Sequence, residues 1–134
     1  MKSKIIILVM LFITFFSCKN EAKEETKISE NTVQTDIQLI QFHTEHRCVT
    51  CNNIEKLSKE TIKGNEAISF VLYNVDDEKN AKVAEQFEAT GTSLYLYNSK
   101  TKATKDLTEM AFMYAKNEGD KFKNELQKEI SAFK

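Results

Sequence analysis

Residues 37–51, IQLIQFHTEHRCVTC, contain the stretch that decides the fold of this chain. Residues 37–42 are rich in apolar residues that favour β-structure, which predicts a strand. After a short polar stretch, apolar residues recur at helical spacing from Cys51 up to Gly64, which is a plausible helix end. The two cysteines of this stretch therefore lie at a predicted strand-to-helix junction.

The rest of the chain continues as alternating strands and helices. Residues 67–75 (AISFVLYNV) form a nearly continuous apolar run, which predicts a strand buried on both faces of a parallel sheet. A helix capped by Asp76 or Asp77 follows. The pattern then predicts a strand at residues 94–97 and a short edge strand at 102–105. Helical structure is predicted from residue 107 onward, interrupted at 117–120. The order β-α-β-α-β-β-α predicts an α/β fold with a mixed central sheet flanked by helices.

Length and charge exclude several classes of protein. The chain has 134 residues, which fits one ordinary domain. Its 19 Lys and Arg residues are balanced by 20 Asp and Glu residues, so it lacks the clustered basic face that nucleic-acid binding requires. It contains no proline. We therefore expect no nucleic-acid partner.

The N-terminal residues have the form of an export signal. Lys2 and Lys4 precede an apolar run at residues 5–16, which is too short for a transmembrane helix. A small residue, Ser17, directly precedes Cys18, as in a bacterial lipobox. We expect residues 1–17 to be a signal peptide cleaved before Cys18, whose lipidation would anchor the chain to a membrane of the bacterial cell envelope, outside the cytoplasm. A plain signal peptide and an uncleaved anchor are the alternatives.

Residues 18–35 are polar and carry few apolar groups, which predicts a flexible tether. The remaining residues, 36–134, are numerous enough to form a domain with its own core.

The C-x-x-C pair carries the chemistry. Free amide N–H groups at a helix start stabilise a thiolate at Cys48, and Arg47 adds positive charge, so Cys48 is the expected nucleophile. Cys51, one turn further and more buried, is placed to resolve a mixed disulfide. C-x-x-C beside a βαβ pattern indicates a redox site.

Other interpretations of this stretch remain open. A structural disulfide would close a very small loop and would stabilise little. A metal site could use Cys48 and Cys51 with His43, and with His46 as a fourth donor, and soft thiolates would favour Cu(I) or Zn(II). The two histidines can instead be exposed loop residues or a proton shuttle for the thiols.

The predicted domain resembles the thioredoxin superfamily along nearly all of its length. It contains Phe42-His43, Arg47-Cys48, Thr50-Cys51, Ile54-Glu55, Asp106-Leu107-Thr108-Glu109, Ala111-Phe112 and Tyr114-Ala115. In these residues it resembles, more closely, the small bacterial family labelled nitrophenyl compound nitroreductase subunit ArsF. Nothing in the sequence resembles a flavin site, so we expect no cofactor.

The resemblance implies that Thr92 and Ser93 dock the substrate. Ser93 stands where thioredoxins carry a cis-proline, and a trans bond is expected before it because a cis bond to a non-proline residue costs about 2.5–4 kcal/mol. The residues between the cysteines are Val49 and Thr50 rather than Gly-Pro. The buried acid of thioredoxins is unmatched, since Gln41 or the residue after it falls there.

The sequence thus predicts an exported, membrane-tethered thiol–disulfide oxidoreductase that acts as a monomer on thiols or disulfides of other exported proteins. A module that binds or delivers Cu(I) or Zn(II) is the alternative, and a non-catalytic thioredoxin-like interaction domain is a third interpretation.

Overall fold

The computed structural model describes residues 35–133. The strands are β1 (Ile37–His43), β2 (Ile68–Asn74), β3 (Ser93–Asn98) and β4 (Thr104–Asp106). The helices are α1 (Val49–Ile62), α2 (Ala81–Gln86), α3 (Thr108–Ala115) and α4 (Gly119–Ala132), and a short 3-10 helix (Glu78–Asn80) leads into α2. The predicted signal peptide, the predicted tether up to residue 34 and the predicted lipidation of Cys18 lie outside the described residues. Within residues 35–133, no helix is both long enough and apolar enough to span a membrane.

The four strands form one mixed sheet in the order β2-β1-β3-β4. β1 and β2 are parallel and are joined through α1, whereas β3 is antiparallel to both β1 and β4. This arrangement confirms the predicted α/β class with a mixed sheet flanked by helices, and it is compatible with a thioredoxin-like fold.

Helices cover both faces of the sheet, but unequally. One face packs against α1, α3 and α4 through a large cluster of buried aliphatic residues that includes Leu39, Ile54 and Leu126. The other face carries a smaller, aromatic cluster built around Phe42 and Phe87, beside the short α2. Residues of β1 alternate between the two clusters because successive side chains of a strand point to opposite faces.

The position of β2 corrects the prediction of a fully buried strand. β2 is an edge strand, and six of its seven residues are only half-buried. Its side chains are apolar on both sides because helices cover both faces of the sheet there. Among the described residues, the backbone of β2 has a neighbouring strand, β1, on one side only. An apolar sequence pattern indicates that both faces of a strand are covered, but it does not indicate whether the strand has neighbours on both sides.

The other strand boundaries differ from the predictions by one or two residues. The helix predicted directly after Asp76 or Asp77 begins instead as the 3-10 helix, which Asp77 caps, and α2 starts only at Ala81. β3 is one residue longer at each end than predicted, and β4 begins at Thr104 rather than at residue 102. The later start of β4 follows from the turn, in which Lys102 adopts a left-handed conformation (φ 64°). Gly64 follows the end of α1 with φ 82°, as expected for a glycine that terminates a helix.

Candidate functional site

The two cysteines lie at the N-terminus of α1, as the sequence predicts. Cys48 is the N-cap residue, with an extended backbone, and its side chain is exposed. Cys51 lies one turn into the helix and is 5% exposed. The strand β1 ends at His43, so the loop between β1 and α1 brings the pair to the end of the sheet where the parallel strands terminate.

The geometry of the two sulfurs suits reversible disulfide formation. Both cysteines are free thiols, and their Sγ atoms lie 2.6 Å apart, against about 2.05 Å in a disulfide. Very little movement therefore separates the dithiol from the bonded form. Because Cys48 is exposed and Cys51 is buried, only the sulfur of Cys48 is accessible to a reactant as large as another protein.

The same contacts favour a thiolate at Cys48. The side chain of Cys51 is the largest contributor that lowers the pKa of Cys48 below its ordinary value, followed by the backbone N–H of Cys51. That N–H donates to Cys48 Sγ at 3.3 Å. Desolvation opposes the shift without reversing it. A helix N-terminus supplies free N–H donors of this kind, so the lowered pKa has a local structural cause.

Arg47 is placed differently from the sequence-based expectation. Its guanidinium forms an ion pair with Glu55 at 2.6 Å, and its Nη2 lies 3.5 Å from the carbonyl oxygen of Cys51. Burial acts to raise the pKa of Glu55, but hydrogen bonds and charges from Lys59 and Arg47 outweigh it and lower that pKa. Arg47 thus links the loop to the first turns of α1, and within residues 35–133 its hydrogen bonds and ion pairs do not include the Cys48 thiol.

Gln41 lies beneath the site. Its side chain is 0% exposed, and Nε2 donates to the carbonyl oxygen of Cys51 at 2.9 Å. Within residues 35–133, Gln41 Oε1 has no hydrogen-bond partner. The structure therefore places Gln41 on the face of β1 that packs against the site. Phe42 belongs to the aromatic cluster on the opposite face of the sheet. The neutral side-chain amide of Gln41 thus holds the backbone of Cys51, the expected resolving cysteine, by a buried hydrogen bond.

Thr92 contacts the buried thiol directly. Its Oγ1 lies 3.1 Å from Cys51 Sγ, across 41 positions of sequence. Ser93 follows as the first residue of β3 and is buried, with its hydroxyl 3.5 Å from the carbonyl oxygen of Gly91. Among the described residues there is no cis peptide bond, so the bond before Ser93 is trans, as predicted.

Two features of this site were not predicted from the sequence. Val49, between the cysteines, is 73% exposed, which places an apolar side chain beside the exposed sulfur. Glu55 holds Arg47, as described above, and its spacing from Cys51 on the helix could have indicated a shared face. Val49 gave no signal, because an isolated valine at a helix start is indistinguishable in sequence from a core residue.

The structure does not gather a metal-ligand set around the cysteines. His43 is half-buried, and its Nδ1 lies 2.8 Å from the carbonyl oxygen of Thr44, while His46 is an exposed loop residue. In the part of the chain from residue 35 to residue 133, no group of three or more His, Cys, Asp or Glu side chains is arranged to hold a metal ion. The dithiol alone supplies two sulfur donors.

Comparisons with known proteins leave the family undetermined. No family model matches the chain, and no curated protein matches it. A solved structure described as "Structure of a malarial protein" is similar over 59% of this chain and 94% of that chain, with 20% identity and a TM-score of 0.41. A TM-score at this level supports no conclusion about function.

Proposed function

We propose that this chain is a thiol–disulfide oxidoreductase in which Cys48 is the nucleophile and Cys51 resolves the mixed disulfide. One observation carries the proposal: an exposed helix-capping sulfur with a lowered pKa lies 2.6 Å from a second, buried sulfur. A thiolate is the species that attacks a disulfide, and a neighbouring buried thiol completes the exchange within the same molecule.

The exchange is a balanced two-electron reaction. The Cys48 thiolate attacks one sulfur of a substrate disulfide, which forms a mixed disulfide and releases one substrate sulfur as a thiolate. Cys51, after loss of its proton to solvent, attacks Cys48 Sγ and releases the second substrate sulfur. The protein ends with a Cys48–Cys51 disulfide and the substrate with two thiols, and the reverse sequence oxidises a substrate dithiol.

The contacts around the pair support this division of roles. The hydroxyl of Thr92 lies against the sulfur of Cys51, and the amide of Gln41 holds its backbone carbonyl, so the resolving residue is fixed while Cys48 remains accessible. The exposed Val49 offers an apolar contact to a substrate next to the reacting sulfur. Thr92 and Ser93 lie at the start of β3, beside the dithiol, where a bound substrate segment can dock.

The cellular setting of the proposal comes from the N-terminal sequence. A lipid anchor at Cys18 would hold the domain at the bacterial cell envelope, where disulfides persist. The substrates would then be thiols or disulfides of other exported proteins. The redox direction follows from the reduction potential of the Cys48–Cys51 couple measured against that of its compartment.

The test is a redox titration of the full chain in detergent. The protein is equilibrated in glutathione buffers of graded ratio, quenched with acid, and alkylated with a reagent that adds mass to free thiols. We expect Cys48 and Cys51 to gain or lose their labels together in one two-electron transition. Cys48→Ser removes the transition, and Cys51→Ser accumulates a mixed disulfide with glutathione at Cys48.

Two outcomes would contradict the proposal. One is an absent transition across the whole range of buffers, which would leave a domain without redox function. The other is a stoichiometric metal ion that survives dialysis and protects both thiols from alkylation after anaerobic purification, which would establish the metal-binding alternative. Cys51→Ala serves as the control for metal retention, since it removes one of the two sulfur donors.

A further inference from the structure

The two edges of the sheet differ in a way that points to an interface. β4 has three residues, all exposed, and it carries Lys105 and Asp106. Short, charged edge strands of this kind resist pairing with other chains. β2 has seven residues, ISFVLYN, with no charged side chain, and the chain has no proline that could block it. β2 therefore lacks the features that ordinarily protect an exposed edge.

The hydrogen-bonding direction of each β2 residue follows from the register. His43 pairs with Asn74, and the N–H of Val75 donates to the carbonyl oxygen of His43 at 2.8 Å. In a parallel pair, alternate residues direct their N–H and C=O groups to the same neighbour. Val71 therefore faces β1, while Phe70 and Leu72 direct their N–H and C=O groups away from the sheet.

Ile68 and Asn74 are the first and last β2 residues whose backbone groups point away from the sheet, and each has one of these groups hydrogen-bonded locally. The N–H of Ile68 donates to the carbonyl oxygen of Asn65 at 3.3 Å, and the carbonyl oxygen of Asn74 accepts from Asn80 Nδ2 at 2.9 Å. Within residues 35–133, nothing pairs with the N–H and C=O groups of Phe70 and Leu72. The unpaired groups are thus distributed symmetrically about Val71.

We propose that β2 is a homodimer interface, in which two copies of this chain pair antiparallel through β2 about a two-fold axis at Val71. In this register, Phe70 of one copy exchanges both backbone hydrogen bonds with Leu72 of the other. The N–H of Asn74 meets the free carbonyl oxygen of Ile68. The two groups already satisfied, Ile68 N–H and Asn74 C=O, would have been partners of each other, so neither is left unpaired by the dimer.

The side chains of β2 fit a second copy of the same strand. On one face Phe70 would lie opposite Leu72, and on the other Val71 would lie opposite Val71 of the second copy. Apolar cross-strand pairs of this kind stabilise antiparallel strands. The apolar strand meets no like charge at the axis, and the two four-stranded sheets join into one continuous sheet. The sequence alone predicts a monomer because it does not show that β2 lies at an edge of the sheet.

Cysteine cross-linking tests the register directly. Residues opposite each other at a non-hydrogen-bonded antiparallel position have Cα atoms about 4.5 Å apart, which is within the range for a disulfide. The native cysteines are first replaced by serine in the full chain, and Val71→Cys is then introduced. Ser69→Cys is the matched control, because it lies on the same face of the same strand and is also half-buried. Its Cα would lie about 14 Å from its counterpart, too far to bond.

In dodecyl maltoside micelles with a mild oxidant, we expect Val71→Cys to give a disulfide-linked dimer on a non-reducing gel and Ser69→Cys to remain a single chain. Light scattering of the unaltered chain, corrected for detergent, should give a protein mass of two chains. A mass of one chain across the accessible concentrations overturns the proposal. Equal cross-linking of the two variants, or cross-linking of neither, also overturns it. Neither result depends on the redox activity of the Cys48–Cys51 pair.

Discussion

Replacing Thr92 by valine should make the Cys48–Cys51 disulfide harder to reduce. Valine has nearly the shape of threonine but lacks the hydroxyl that lies 3.1 Å from Cys51 Sγ. That contact is made to the free sulfur of the reduced protein. A disulfide sulfur has no proton to donate and no charge, so the contact contributes less in the oxidised protein. Removing it destabilises the reduced form relative to the disulfide.

The size of the effect follows from the value of one hydrogen bond. A protein hydrogen bond contributes about 0.5–1.5 kcal/mol net. For a two-electron couple, about 30 mV corresponds to 1.4 kcal/mol, so Thr92→Val should shift the reduction potential by about 10–30 mV to more negative values. This corresponds to a change of about two- to tenfold in the equilibrium constant with glutathione.

The assay is the same glutathione titration, with Ser93→Ala as the matched control. Ser93 is the next residue in the chain, and its hydroxyl contacts the carbonyl oxygen of Gly91 rather than a sulfur. We expect Ser93→Ala to leave the midpoint where it is in the unaltered protein. An unchanged midpoint in Thr92→Val, a shift to less negative values, or an equal shift in both variants would refute the role of the Thr92 hydroxyl.

Four further predictions follow from the described residues. Because Cys51 is the main cause of the lowered pKa of Cys48, Cys51→Ala should move the midpoint of iodoacetamide reactivity against pH upward, towards the ordinary cysteine value of about 8.5. The lowered pKa of Cys48 contributes stability that is fully present at pH values above the pKa of the unfolded thiol. This stability is lost as the pH falls through the pKa of Cys48 in the folded protein, and urea unfolding at several pH values measures the loss. Gly64→Ala should lower the free energy of unfolding by about 1–2 kcal/mol because Gly64 has φ 82°, whereas Gly91→Ala, which has open space and no such φ, should not lower it. Ser58→Ala should raise the free energy of unfolding by about 1–3 kcal/mol, since it removes a fully buried hydroxyl that has no partner among residues 35–133, and a decrease in urea unfolding would contradict this.

The local part of the site could be predicted from the sequence. The position of Cys48 at a helix start and the burial of Cys51 one turn later depend on spacing along one short segment. Helical periodicity and a strand-favouring run are properties of neighbouring residues, so sequence reports them well. The division of the last segment into α3 and α4 was likewise visible as a polar interruption at residues 117–120.

The contacts between distant segments could not be predicted in the same way. Arg47 was expected to act on Cys48 because the two are adjacent in sequence, yet it pairs with Glu55. Adjacent residues at a helix start point in different directions, and the carboxylate of Glu55, further along α1, lies within ion-pair distance of the Arg47 guanidinium. The side-chain amide of Gln41 meets the carbonyl of Cys51 only because α1 packs over β1.

The sequence by itself determined the order of the elements, the mixed α/β class and the place of the cysteine pair, since each depends on residue periodicity and on capping within a single segment. The edge position of β4 could also be predicted, whereas the tertiary structure alone decided that β2 lies at the other edge and which hydroxyl touches the buried sulfur. β2 has the same apolar pattern as a central strand would have, because side chains contact what covers the two faces of a sheet. The presence of a neighbouring strand is decided by backbone hydrogen bonds, which leave no mark on the side-chain pattern. The meeting of Thr92 with Cys51 requires that β3 return antiparallel beside β1, which brings residues 41 positions apart to 3.1 Å.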